Sequence, residues 1–189
     1  MLVAPATAVA QAPALDKSGG AAYQEPPPPP PDPVNLVVPG SVAKLMPDGT
    51  AAAPADAPPQ VQQAIWAANK IQDKPYIYGG GHRRFEDRGY DCSGTVSYAL
   101  KGGGLLETPL DSSSFMKWGA AGKGQWITVY TNPGHAYVVI AGLRLDTSAA
   151  AARTTRNLRQ FRKANERGPR WRPTERSSRG YKRRHPVGF

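Results

Sequence analysis

The sequence contains a single cysteine among 189 residues, and this scarcity excludes two structural roles. One thiol cannot form an intramolecular disulfide, and it cannot build a thiolate metal site alone. The chain also lacks any apolar run near the ~18 residues that a membrane-spanning helix needs. A glycine-rich stretch at residues 79–81 is not followed by the Lys-Ser/Thr pair of a nucleotide-binding loop, so we exclude phosphate cradling there.

Acidic residues are scarce in the last part of the chain. Residues 151–189 hold 13 Lys and Arg against 2 Glu, whereas residues 1–150 hold 11 basic and 12 acidic residues. The whole excess behind the net charge of +10 is therefore carboxy-terminal. Such a segment attracts polyanions through salt-sensitive contacts, which makes a polyanion-binding protein, for a wall polymer or nucleic acid, an alternative function. No nucleic-acid reader motif accompanies it, and a solvated charged face is the simpler interpretation.

Large apolar residues are rare before residue 59. Residues 1–58 are mostly Ala, Pro, Gly and small polar residues, with an unbroken proline run at 26–31. Such a segment buries too little apolar surface to offset the entropy lost on ordering. We predict a disordered Ala/Pro-rich tether over 1–58 and one domain over 59–189, with a basic insertion at about 149–167. The first residues fit two interpretations, the remnant of an export signal or plain low complexity.

The one cysteine, Cys92, stands in the segment Tyr-Asp-Cys-Ser-Gly at residues 90–94. Asp91 can cap a helix that runs from Cys92 to about Leu100. The unpaired N–H groups and the dipole at a helix N-terminus favour a thiolate. This position therefore indicates a nucleophile rather than a small buried hydrophobe. A second helix is predicted over residues 59–71, where apolar residues recur at helical spacing.

His135 is the strongest candidate for the general base. We predict antiparallel strands at 126–130, 135–140 and 143–147, so His135 opens the middle strand. In the simplest hairpin His135 faces Asp146, whose carboxylate could hold the imidazole in one tautomer. A slip of one residue would move Asp146 to the other face of the sheet.

Two further histidines are weaker candidates for the base. His82 lies near Cys92 in the sequence, but the adjacent Arg83 and Arg84 would disfavour its protonation. His185 lies in the basic terminal segment, where a solvated or packing role is expected.

Three segments, at residues 75–80, 90–94 and 134–138, resemble the NlpC-type cell-wall cysteine peptidases of the papain-like superfamily. The resemblance covers about residues 59–148. It implies an α+β fold, in which the cysteine lies at a helix N-terminus packed on a small antiparallel sheet. It implies hydrolysis of amide bonds in peptidoglycan stem peptides through an acyl-thioester, typically next to D-glutamyl or diaminopimelyl residues. A papain-like acyltransferase would use the same site and is a further alternative.

The resemblance also implies roles for individual residues. The nucleophile is Cys92, the base is His135, and the third polar residue lies at or near Asp146, where the family usually has His, Asn or Gln. Substrate binding is assigned to three further positions: Tyr76, Asp91 and Ser93. The first two also have structural interpretations, as a core aromatic and a helix cap. The resemblance implies a secreted or envelope-associated bacterial protein whose partner is peptidoglycan, and we expect neither a metal nor another cofactor.

Overall fold

The computed structural model describes residues 35–148, 168–173 and 176–189. The predicted basic insertion and residues 1–34 of the predicted tether lie outside these ranges. The described part is an α+β fold, which confirms the predicted class. Its helices are α1 (Pro59–Asn69), α2 (Cys92–Gly102) and α3 (Ser112–Phe115). Its strands are β1 (Val37–Val38), β2 (Lys44–Leu45), β3 (Ala51–Pro54), β4 (Ala120–Ala121), β5 (Ile127–Asn132), β6 (His135–Ile140), β7 (Leu143–Leu145), β8 (Trp171–Arg172) and β9 (Lys182–His185).

A three-stranded sheet precedes the first helix, in a region where the sequence analysis predicts a disordered tether. Strand β3 lies between β1, which runs parallel to it, and β2, which runs antiparallel. Ala51, Ala52 and Ala53 are fully buried, and β3 packs on α1. Residues 37–54 therefore belong to the fold, and the predicted boundary at residue 58 is corrected. Small side chains give little hydrophobic signal in a sequence, yet they let a strand pack closely against a helix.

Helices α1 and α2 pack tightly on each other. Pro59 occupies the first turn of α1, where its missing N–H costs nothing. A Cβ atom added at Gly102 would collide with the Ala67 side chain, and one at Gly103 would collide with the Gln60 carbonyl. The glycines that end α2 therefore also let the two helices approach. Helix α2 contacts β6 as well, and this contact brings its first turn to the main sheet.

The main sheet has six strands in the order β4-β9-β5-β6-β7-β8, and every neighbouring pair is antiparallel. A two-residue turn at Ala141 and Gly142, with φ of 47° and 85°, joins β6 to β7. Positive φ at both positions is typical of the tight turns that match strand twist. Val138 pairs with Leu145, so the following residue, Asp146, lies beside Tyr137 rather than opposite His135 as predicted. The shift is two residues, which leaves Asp146 on the predicted face.

The carboxy-terminal segment is integrated into this sheet. Strand β9 lies between β4 and β5, and β8 forms the edge beside β7. Trp171 in β8 is only 4% exposed, and its Nε1 donates a hydrogen bond of 2.8 Å to Asn69 Oδ1 at the end of α1. Among the described residues, no helix is both long and apolar enough to pass through a membrane.

Candidate active site

The first turn of α2 is built around the capping residue Asp91. Asp91 Oδ1 accepts a hydrogen bond of 2.8 Å from the Gly94 N–H, which satisfies one of the free donors at the helix start. The glycine-rich loop packs directly on this turn, since a Cβ atom at Gly94 would collide with the Gly80 carbonyl. Cys92, the first residue of the helix, remains partly exposed. The sequence therefore presents a reachable thiol at a helix N-terminus.

His135, the first residue of β6, is held by Asp146. His135 Nε2 lies 2.9 Å from Asp146 Oδ1, and the two side chains are 18% and 0% exposed. The His135 side chain also hydrogen-bonds Cys92. Burial lowers the pKa of His135, but hydrogen bonds and charges from Asp146 and Cys92 outweigh it and raise the pKa to about 9. The imidazole is therefore protonated at neutral pH when it stands between these two partners.

Four groups converge on the Asp146 carboxylate. Oδ1 also accepts from the Ser148 N–H at 2.8 Å, while Oδ2 accepts from Arg144 Nη1 at 3.2 Å and from Arg176 Nη1 at 3.0 Å. Burial raises the pKa of Asp146, but His135, the Ser148 N–H and Arg176 together lower it below its usual value. Asp146 is therefore an anion at neutral pH. The sequence analysis did not predict that either arginine belongs to the site. Arg144 lies on the same face of the hairpin as Asp146, whereas Arg176 is distant from Asp146 in the sequence.

His82 binds two of the predicted substrate residues instead of acting as a free imidazole. Its Nε2 lies 3.0 Å from Asp91 Oδ1 and 2.9 Å from Ser93 Oγ. The Gly79 N–H donates to Asp91 Oδ2 at 3.1 Å. Asp91 and Ser93 are buried, with 4% and 2% of their surfaces exposed. These two residues stand beside the nucleophile, and their side chains are engaged in hydrogen bonds within the protein.

The remaining candidates are more dispersed. Tyr76 is half-buried and forms an isolated bridge with Tyr90, which immediately precedes Asp91. His185 lies in β9, which β5 separates from β6, and its Nδ1 lies 3.0 Å from the Pro186 carbonyl. The structure therefore places His185 apart from His135. Within the described ranges, no three His, Cys, Asp or Glu side chains are grouped so that they could hold a metal ion.

Known proteins resemble this chain in structure rather than in sequence. No protein-family model matches it, and no curated protein matches it. Among solved structures, it is similar to the peptidoglycan hydrolase RipB from Mycobacterium tuberculosis, with 18% sequence identity and a TM-score of 0.48. The likeness covers 69% of this chain and 66% of that one, so the chain spans just under two thirds of the RipB structure. At this level, the likeness carries no conclusion about activity.

Proposed function

We propose that this protein is a cysteine peptidase that hydrolyses amide bonds in peptidoglycan stem peptides. The observation that carries the reaction type is the hydrogen bond between His135 and a partly exposed Cys92 at a helix N-terminus. The same imidazole is held by a buried carboxylate, at 2.9 Å between His135 Nε2 and Asp146 Oδ1. Nucleophile, base and orienting group are what acyl transfer through a covalent intermediate requires. The substrate class rests on the motif resemblance, and such a substrate places the protein at the cell envelope.

The reaction begins from an ion pair in which the Cys92 proton already resides on His135, whose pKa is raised to about 9. The thiolate attacks the carbonyl carbon of the stem-peptide amide and forms a tetrahedral oxyanion. The C–N bond then breaks, and the imidazolium gives its proton to the leaving amine. The resulting acyl-thioester is hydrolysed by water, whose proton passes to His135. The products are an amine and a carboxylic acid, and the pair of Cys92 thiolate and His135 imidazolium is regenerated.

The surroundings of the two reacting side chains support these steps. The helix dipole and the free N–H groups at the start of α2 stabilise the negative charge on Cys92. Asp146 holds His135 in the tautomer with a proton on Nε2, so that Nδ1 exchanges the proton with the thiol. General base help of this kind contributes roughly a hundredfold to ten-thousandfold in rate.

Tyr76, Asp91 and Ser93 remain the proposed substrate-contacting residues. Ser93 follows the nucleophile and Asp91 precedes it, so a bound stem peptide passes close to both. His82 Nε2 already lies within 3.0 Å of both side chains. A polar substrate group that binds either side chain must therefore replace or share the contact with His82.

The basic carboxy-terminal segment gives less support to the polyanion-binding alternative than its charge predicts. Four of its described arginines use side-chain nitrogens for hydrogen bonds within the protein: Arg170, Arg172, Arg176 and Arg184. The exposed cations of the described segment are Arg179, Lys182 and Arg183. Much of this charge therefore serves the fold, and polyanion binding stays a prediction.

The test is hydrolysis of purified peptidoglycan and of soluble muropeptides by the full chain, followed by mass spectrometry of the products. We expect products that gain one water at an amide, and we expect their loss in Cys92→Ala and Cys92→Ser. Ser113→Ala, at an exposed position of α3, is the matched control and should cleave like the unaltered protein. Full activity of Cys92→Ala would end the proposal. A product joined to an added amine instead of water would identify an acyltransferase.

A further inference from the structure

Arg176, a residue of the carboxy-terminal segment, contacts both members of the His135–Asp146 pair. Its Nη1 lies 3.0 Å from Asp146 Oδ2 and 3.4 Å from His135 Nε2. Its Nη2 donates a hydrogen bond of 2.8 Å to the Tyr181 hydroxyl, and the side chain is 17% exposed. We propose that Arg176 is a positioning residue of the candidate active site, which holds the Asp146 carboxylate against His135 and sets the pH range in which the imidazole stays protonated.

Two tyrosines fix the guanidinium in place. The Arg176 guanidinium carbon lies 5.4 Å from the ring centroids of both Tyr137 and Tyr181. The two rings themselves meet edge to face, with centroids 5.2 Å apart. Cation–π contacts at such distances restrain a guanidinium in addition to its hydrogen bonds. Tyr137 belongs to β6 and Tyr181 immediately precedes β9, so the sheet itself determines where Arg176 stands.

The charge of Arg176 has a direct consequence for His135. A buried carboxylate strengthens proton binding by the imidazole it contacts, whereas a cation beside the same imidazole weakens it. Arg176 weakens proton binding by His135 in two ways, because it neutralises part of the Asp146 charge and places a cation against the imidazole. A base that must pass its proton to a leaving amine works best when its proton affinity is moderate. The carboxylate at the third position, a departure from the resembled family, is thereby balanced by a cation.

The ionisable and charged groups around His135 come from several elements. They are Cys92 in α2, Tyr137 in β6, Arg144 in β7, Asp146 directly after β7, and Arg176 and Tyr181 in the carboxy-terminal segment. Arg144 Nη1 also contacts Asp146 Oδ2, at 3.2 Å. Arg144 is 4% exposed, so its removal would disturb the core as well as the charge. Arg176 is therefore the cation whose replacement tests the electrostatic balance most directly.

The inference rests on the proposed function, because the proton on His135 matters for catalysis only if the site cleaves amides. The test of the inference needs no peptidoglycan. The His135 ring is titrated by NMR in the full chain, and the rate of Cys92 alkylation by iodoacetamide is measured across the same pH range. For the unaltered protein the imidazole should titrate at about pH 9. In Arg176→Met, which keeps the length and removes the charge, we expect the titration to move upward by roughly one pH unit. The pH at which the alkylation rate of Cys92 changes on the alkaline side should move upward together with the His135 titration.

Two variants separate this role from a merely structural one. Arg176→Lys keeps a cation and should restore most of the titration seen in the unaltered protein. Arg179→Met removes an exposed cation of the same segment and should leave His135 unchanged. If Arg176→Met does not fold, the titration of His135 is measured in Tyr181→Phe instead. This variant loses the hydroxyl that accepts from Arg176 Nη2, and its His135 titration should move upward by less than the shift expected for Arg176→Met. An unchanged titration in Arg176→Met, or in Tyr181→Phe where that variant decides, would overturn the inference, as would an equal shift in Arg179→Met.

Failure of this inference and failure of the proposed function are distinguishable. A protein whose His135 titration depends on Arg176 but which leaves muropeptides intact would retain the inference and lose the proposed substrate. A protein that cleaves muropeptides with a titration independent of Arg176 would retain the function and lose the inference.

Discussion

His135 Nε2 and Asp146 Oδ1 lie 2.9 Å apart, although Tyr137 and not His135 stands opposite Asp146 in the hairpin. Diagonal neighbours in an antiparallel pair lie ~7–8 Å apart, which is within reach of an aromatic side chain and a carboxylate that lean towards each other. The contact therefore depends on both residues lying on one face of the sheet, and it survives a register shift of two residues. A shift of one residue would have abolished it.

Replacement of Asp146 by Asn should narrow the active pH range without destroying the site. The amide oxygen can still accept the hydrogen bond from His135 Nε2, but the negative charge that raises the pKa of His135 is lost. The imidazolium then loses its proton at a lower pH. We expect the alkaline limb of kcat/KM to move from about pH 9 towards neutrality by roughly one to two pH units. Activity near pH 6 should be retained in large part.

The measurement for this substitution is a kcat/KM profile on a soluble muropeptide from pH 5 to about pH 10. Asp146→Ala is the comparison variant, because it removes both the charge and the acceptor and should be much less active at every pH. An alkaline limb that stays in place in Asp146→Asn would show that the carboxylate charge does not govern His135.

Substitution of the histidines should identify the base. His135→Gln should slow Cys92 alkylation at neutral pH by roughly a hundredfold or more, because the thiolate loses its partner. His82→Gln should leave rapid alkylation largely intact, since His82 Nε2 is engaged by Asp91 and Ser93 at 3.0 Å and 2.9 Å. His185→Gln, in a strand separated from β6 by β5, is the matched control. Equal losses in His82→Gln and His135→Gln would contradict the assignment.

Replacement of Trp171 by Phe should destabilise the fold without touching the candidate active site. The ring remains buried, but the 2.8 Å hydrogen bond from Trp171 Nε1 to Asn69 Oδ1 is lost. Asn69 Oδ1 still accepts from the Ala51 N–H at 2.9 Å, so one of its partners stays in place. We expect a loss of about 1–2 kcal/mol in the free energy of unfolding, from the hydrogen bond and the smaller ring together.

Urea unfolding followed by circular dichroism measures this loss. Tyr78→Phe changes an aromatic side chain that is 90% exposed and should alter the free energy of unfolding by less than about 0.5 kcal/mol. Equal stability of Trp171→Phe and the unaltered protein would show that β8 contributes little to the fold.

Local rules account for what the sequence predicted well. The helix that begins at Cys92 follows from the capping side chain of Asp91. The strand that begins at His135 follows from a run of aromatic and β-branched residues after a turn. The strands at residues 37–54 were missed because their alanines bury little area and resemble the low-complexity region before them. The hairpin register was off by two residues because the turn is centred between Ala141 and Gly142.

The sequence by itself determined which residue is the thiol, which helix presents it and which strand carries the imidazole, because helix capping and strand propensity act over a few neighbouring residues. The tertiary structure alone decided what surrounds them. Arg176 reaches Asp146 across 30 positions of sequence, and Trp171 reaches Asn69 across 102. Such contacts depend on how strands β8 and β9 pair within the sheet, and no local pattern of residue types encodes that pairing.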